Sequence, residues 1–163
     1  MLALRELKRL GYRRIGLAVP HRVNERVNNA QLASILAFQY RLRPVDRVPP
    51  LLVRGIWDEE QVQGWFKKHR PDAVVSHASV VMKTILRCGA RIPDDVGFVT
   101  MQREPGRDMC AGIDQRTRIV GAAGLELVAA QLQRNESGPP ADPRLVLIRG
   151  EWVDGDSVRR QRR

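Results

Sequence analysis

Aromatic residues are few: three Trp, two Tyr and three Phe in 163 residues. Only Trp65 and Phe66 are adjacent, and aromatic and basic residues alternate along no stretch, so no stacking platform of the kind that grips unpaired bases is read. Cysteine is scarcer still. Cys88 and Cys110 have no His or Cys at metal-ligand spacing, which argues against both a zinc site and a disulfide. Structural roles are expected for both. There is no apolar run of the roughly 18 residues that a membrane-crossing helix needs. Met1-Leu2-Ala3-Leu4 meets charge at Arg5, so no secretory signal is read there either, and the expected compartment is the cytoplasm.

Catalytic constellations are lacking as well. No serine lies in a Gly-x-Ser-x-Gly turn, and His21, His69 and His77 are scattered, leaving no nucleophile with a base beside it in sequence. No glycine-rich loop follows a strand: Val19 leads into Pro20-His21-Arg22 and Val75 into Ser76-His77, so nothing is built to cradle phosphate. Asp58-Glu59-Glu60 reads as helix-start chemistry, acids matched to the positive end of a helix dipole, and not as a metal site. The expectation is a protein that is not an enzyme and takes no cofactor or metal.

What the chain does have is positive charge, apolar periodicity and punctuation. Lys and Arg number 28 against 18 acids, a net charge of +10. The clusters Arg13-Arg14, Lys67-Lys68 and Arg159-Arg160-Gln161-Arg162-Arg163 lie in different segments. That favours a basic soluble surface over a dedicated nucleic-acid face, with the last cluster expected to fray.

The organising stretch runs from Arg70 to Met101. Ala73-Val74-Val75 is a short apolar run suited to a strand covered on both faces. Val80, Val81, Thr84, Ile85 and Cys88 then recur at helical spacing, with Ser79 able to cap the helix start. Gly89 stops the helix, Ile92-Pro93-Asp94-Asp95 turns the chain, and Val96 to Met101 forms a second buried strand. This βαβ unit requires further strands and helices around it. Ligands in such sheets bind at the carboxyl ends of strands, which directs attention to the loops Ser76 to Ser79 and Gln102 to Arg107.

Elsewhere Leu2, Leu4, Leu7 and Leu10 mark one face of an opening helix that Gly11 ends, and Ile15 to Val19 is a strand closed by Pro20. The spacing predicts one long helix from about Asn24 to Arg41, a strand at Leu51-Leu52-Val53 and a helix after Asp58. An extended piece is expected at Gly112-Ile113-Asp114-Gln115 and a final helix from about Thr117 to Arg134. Leu145-Val146-Leu147-Ile148 reads as the last strand, with an exposed remainder. The fold class is α/β, a three-layer, mainly parallel sheet flanked by helices, in one domain.

Three stretches together resemble the effector-binding domain of LacI-type transcriptional regulators: Leu4 to Leu17, Arg70-Pro-Asp-Ala-Val-Val, and Gly89-Ala-Arg-Ile-Pro-Asp-Asp-Val-Gly-Phe-Val. Gly112-Ile-Asp-Gln, the helix near Ile119-Val-Gly-Ala-Ala and Leu147-Ile-Arg-Gly continue the same order, so the resemblance covers nearly the whole chain. It implies a periplasmic-binding-protein-like type I fold of two lobes, with sugars or other small metabolites held between them. It further implies a homodimer that meets DNA only through a helix-turn-helix. Residues 1–163 are similar to the C-terminal lobe of that domain, and 116–140 resemble the helix that crosses to the other lobe. The helix-turn-helix and most of the first lobe have no counterpart in this sequence. The resemblance therefore implies a fragment whose final helix packs against a second copy or its own lobe.

The family's effector contacts carry over only in part. Gln31 stands where relatives have the Arg of Arg-x-x-Gly, Ala78-Ser79 where they have Asn-Asp, and Gln102 where they have Asp. Gln31 and Gln102 still donate and accept, which suits a neutral polyol, but the charged clamp is gone. Trp57 stands where an aromatic lines the family's cleft, placed to stack on a sugar face or to fill the core. Asn24, Arg26 and Asn28 supply polar groups from the first helix start, and His77 does so from a strand's carboxyl end. The ligand-binding set implied is Asn24, Arg26, Asn28, Gln31, Trp57, His77, Ser79 and Gln102. The function implied is sensing of a small, sugar-like effector for a transcriptional regulator; the alternative is a periplasmic-type sugar-binding protein for uptake.

Overall fold

The computed structural model describes residues 1–55, 57–103, 109–139 and 142–161. In chain order the elements are α1 (Leu2–Arg9), β1 (Ile15–Pro20), α2 (His21–Arg26), α3 (Ala30–Tyr40), β2 (Leu51–Val53), α4 (Glu59–His69) and β3 (Ala73–Ser76). Then come α5 (Ser79–Arg87), β4 (Gly97–Thr100), β5 (Gly112–Asp114), α6 (Thr117–Gln133) and β6 (Glu151–Val153). One six-stranded sheet runs β2-β1-β3-β4-β5-β6. All neighbours are parallel except β5 and β6. This is the α/β, mainly parallel sheet that the alternation of short apolar runs and helical stripes predicts.

Alternate strand residues serve opposite faces, and each face recruits its own helices. Ile15, Leu17, Val19, Ala73, Val75 and Val99 pack with Ala3, Leu4 and Leu7 of α1 and Ile35 of α3. Ala18, Val74 and Phe98 pack with Val62 and Trp65 of α4 and Val81 and Ile85 of α5. Three layers result. The register of β1 against β3 is fixed at its start by Asp72, whose carboxylate accepts from the backbone N–H groups of Arg13 (2.8 Å) and Arg14 (2.9 Å). Gly16 lets the sheet meet α4 closely: a Cβ there would lie 2.6 Å from the Trp65 ring. That ring is itself held by Nε1 donating to Pro49 O at 2.7 Å.

Several expectations needed correction. The helix expected from Asn24 to Arg41 is two helices, because Asn28 and Asn29 adopt left-handed φ values of 50° and 57° and break the ladder. Asn is among the few residues that tolerate this. Ser79 is the first residue of α5 and not its cap. Ala78 holds that position, and the turn is fixed by Ser76 Oγ accepting from Ala78 N at 3.2 Å.

Leu145 to Ile148 forms no strand; Leu145, Val146 and Leu147 are exposed. The last strand is β6, and the segment after it is anchored rather than frayed. Ser157 is buried, its Oγ donating to Phe98 O (2.5 Å) and accepting from Ala111 N (2.9 Å). Arg159 pairs with Asp94 at 2.8 Å, its backbone N donates to the Tyr12 hydroxyl, and Gln161 N donates to Leu10 O. Arg162 and Arg163, and residues 104–107 of the loop after β4, lie outside the described residues.

The helix expected from Thr117 to Arg134 forms as α6, and it has no buried residue. No described helix is long and apolar enough to cross a membrane.

Candidate functional site

The connections β2-α4-β3 and β3-α5-β4 place their helices on one face of the sheet, while α3 between β1 and β2 lies on the other. The chain therefore parts in two directions between β1 and β3, and a crevice opens beyond their carboxyl ends. Sheets of strand order 2-1-3-4-5 bind their ligands at this point.

Two side chains meet there. His77 follows β3 directly, and Gln31 stands in the first turn of α3. Gln31 Nε2 and His77 Nε2 are 2.7 Å apart, both residues part-buried. An amide nitrogen only donates, so in this arrangement the ring accepts at Nε2 and carries its proton on Nδ1. Burial pushes the His77 pKa below its ordinary value of 6.5, which favours the neutral ring that this bond requires. Gln31 Oε1 is buried and, among the described residues, has no partner.

Beside this pair lies a cavity of about 240 Å³, floored by Leu17 of β1 and Val75 of β3. Its walls include Leu4 of α1, Gln31 and Ile35 of α3, and Met101 just past β4. Ser34 also faces it.

The other expected site residues divide into two groups. Arg26 at the end of α2, Asn28 in the turn after it, Ser79 at the start of α5 and Gln102 just beyond β4 are exposed. Asn24 and Trp57 serve the scaffold. Asn24 is fully buried, its Oδ1 accepting from Leu32 N (3.1 Å) and its Nδ2 donating to Asn29 Oδ1 (2.7 Å), so it holds the turn between α2 and α3. Trp57 packs against the cluster beneath α4 and α5, on the opposite side of the sheet from the cavity. The apolar lining escaped the sequence reading because Leu4, Leu17, Ile35 and Val75 look like ordinary core. The one available signal was spacing: Gln31, Ser34 and Ile35 fall at i, i+3 and i+4 and so share a helix face.

The family profile for the periplasmic binding protein-like domain matches residues 4–158. The chain belongs to this family. Among solved structures, this periplasmic binding protein-like domain is similar to a LacI family transcriptional regulator from Enterococcus faecium with bound ribose. The TM-score is 0.70 at 16% identity, covering 99% of this chain and 62% of that one. It is also similar to a LacI family regulator from an Arthrobacter species in complex with lactose, with TM-score 0.71, 15% identity, and 96% and 62% coverage. A LacI-family regulatory protein from Corynebacterium glutamicum gives TM-score 0.68, 16% identity, and 98% and 64% coverage. At such identities the likeness is one of fold. The chain spans about three fifths of the length of these structures. A comparison with curated proteins gives no significant match.

Proposed function

We propose that this chain is the effector-sensing part of a LacI-type DNA-binding transcriptional regulator. The observation that carries the reading is the Gln31–His77 pair, set over a cavity at the switch point of the sheet. Family membership and likeness in fold to regulators with bound ribose and lactose support it. In this reading a small, sugar-like molecule sits at the rim of β1, β3 and β4. Arg26, Asn28, Gln31, His77, Ser79 and Gln102 face it, while Asn24 and Trp57 support the rim from within. Amide side chains that both donate and accept orient neutral hydroxyls there.

The protein acts in the cytoplasm as a homodimer without catalytic chemistry and meets DNA through a helix-turn-helix outside these residues. Residues 116–140 carry α6 to a second lobe or a second copy, which covers its apolar side. A ligand that prefers one arrangement of the lobes shifts the population toward it.

Thermal unfolding against a panel of monosaccharides and disaccharides tests the ligand. A Tm that climbs with the concentration of one sugar is expected, since a ligand bound only by the native state stabilises it. Gln31→Ala should lessen the climb. A DNA titration tests the division of labour: the chain is expected to bind weakly, without sequence preference, and to lose binding as salt rises. Retention of one operator sequence by these residues alone, or turnover of a sugar or phosphate substrate, would overturn the proposal.

A further inference from the structure

The cavity beside Gln31 is made for something less polar than a sugar. Leu4, Leu17, Ile35, Val75 and Met101 face it, and no charged side chain does. A polyhydroxylated ring inside it would lose water from several hydroxyls, with few groups to receive them. Gln31 presents the complementary need. Its Nε2 is engaged by His77 at 2.7 Å while its Oε1 is buried and unpartnered, and a buried acceptor left in that state calls for a donor. Gln31 lines the cavity, and its terminal amide torsion is soft; turning it carries the oxygen and Nε2 together, so a donor in the cavity is accepted in exchange for the His77 bond. An apolar cavity of about 150 Å³ holds a benzene ring, so the roughly 240 Å³ here holds a ring with further substituents. No charged side chain lines it, and the one ionisable group there, the α-amino group of Met1, has its pKa lowered by burial and by Arg5, which favours the neutral form.

We propose that this cavity binds a neutral small molecule with a compact apolar body and one hydroxyl, the hydroxyl donating to Gln31 Oε1 and the body filling the space between α1 and α3. The proposal refines the effector-sensing reading and rests on it for the site's purpose, though the binding itself can be tested separately.

The probes are phenol, 4-ethylphenol and cyclohexanol, with benzoate as the charged counterpart and ribose and lactose as sugars, each titrated into the full chain carrying labelled Leu, Ile and Val methyl groups. The expected result is saturable shifts at the methyls of Leu4, Leu17, Ile35 and Val75 with the neutral alcohols and none with benzoate. Gln31→Leu is expected to weaken binding about tenfold, the usual effect of deleting one hydrogen bond. Ser34→Phe, which fills the cavity, should abolish it. The wild-type shift map decides the matter even if a variant fails to fold.

Shifts confined to α6, at Ile119 and Leu127, would overturn the proposal, as would binding indifferent to both variants. If the sugars move the four methyls and the alcohols do not, this inference falls while the effector-sensing reading stands. If neither class binds, this inference falls, and the effector-sensing reading is decided separately by the wider sugar panel.

Discussion

Helices α5 and α6 are both rich in apolar residues, and they meet opposite fates. α5 has nine residues and buries Val81, Thr84 and Ile85 against strands β3 and β4. α6 has 17 residues and buries none. Ile119, Val120, Leu125, Leu127, Val128 and Leu132 all stand exposed, Leu125 at 73% and Leu132 at 70%. The pattern that makes a segment helical is thus not the same thing as the surface that covers it. Periodic apolar residues record a need for a neighbour, and only the fold tells whether the chain itself supplies one. An exposed patch of this kind marks an interaction surface or an aggregation hazard.

The contrast is sharpest in core truncations. Ile85→Ala is expected to cost about 2–5 kcal/mol, as deletions of fully buried aliphatic groups do, whereas Leu127→Ala on α6 should stay within about 0.5 kcal/mol. Urea denaturation of both variants checks this. A large loss from Leu127→Ala in dilute solution would mean that α6 is covered after all.

The second test concerns the segment after β6, which looks peripheral but is anchored. Ser157→Ala removes a hydroxyl that serves both Phe98 O and Ala111 N. A loss of about 1–3 kcal/mol is expected for the buried groups left unpaired, with hydrogen exchange quickening at Ala111. A third variant pair works on α6 from the other side. Leu125→Lys with Leu132→Lys should leave the midpoint of unfolding unchanged while reducing concentration-dependent association, measured by sedimentation.

The smallest expected effect is a pH dependence at the rim. Burial holds the His77 pKa below 6.5 in the fold, so between the two values the unfolded chain takes up the proton more readily. The stabilising contribution is complete above the ordinary value and is lost as pH falls from there through the lower value of the fold. His69, lowered by its own burial and by Lys68 and Arg14, acts in the same sense. His77→Gln is therefore expected to reduce the decline in stability as pH falls below about 6.5, without removing it. An unchanged slope would show that His77 is no less ready to take a proton in the fold than in the unfolded chain.

Much of this architecture was legible in the sequence, because short apolar runs such as Ala73-Val74-Val75 and stops such as Gly11 and Gly89 are governed by local chemistry. Where tertiary context decides, the reading slipped. The Asn28-Asn29 break interrupts an otherwise helical pattern, and the buried Asn24 amide that braces it carries no local signature. Leu145 to Ile148 has the composition of a strand but forms none, its first three residues standing exposed, while the less apolar Glu151-Trp152-Val153 pairs with β5. The polar half of the site, Gln31 and His77, was visible as polar residues near the carboxyl ends of strands. Its apolar half was not, since a wall of a cavity and a wall of a core are built from the same residues.

The pairing of β5 with β6 has a mechanical consequence. Asp114 lies opposite Glu151, and Gly112 opposite Val153, so the chain that departs for α6 comes back to the very place it left. The long excursion is, in effect, the tip of a hairpin. Whatever grips α6 pulls on both legs at once, and the load enters the sheet through β5 and β6, at the end of the strand order away from β1. Replacing the excursion by a tight turn would leave a smaller domain with its rim intact and its handle removed.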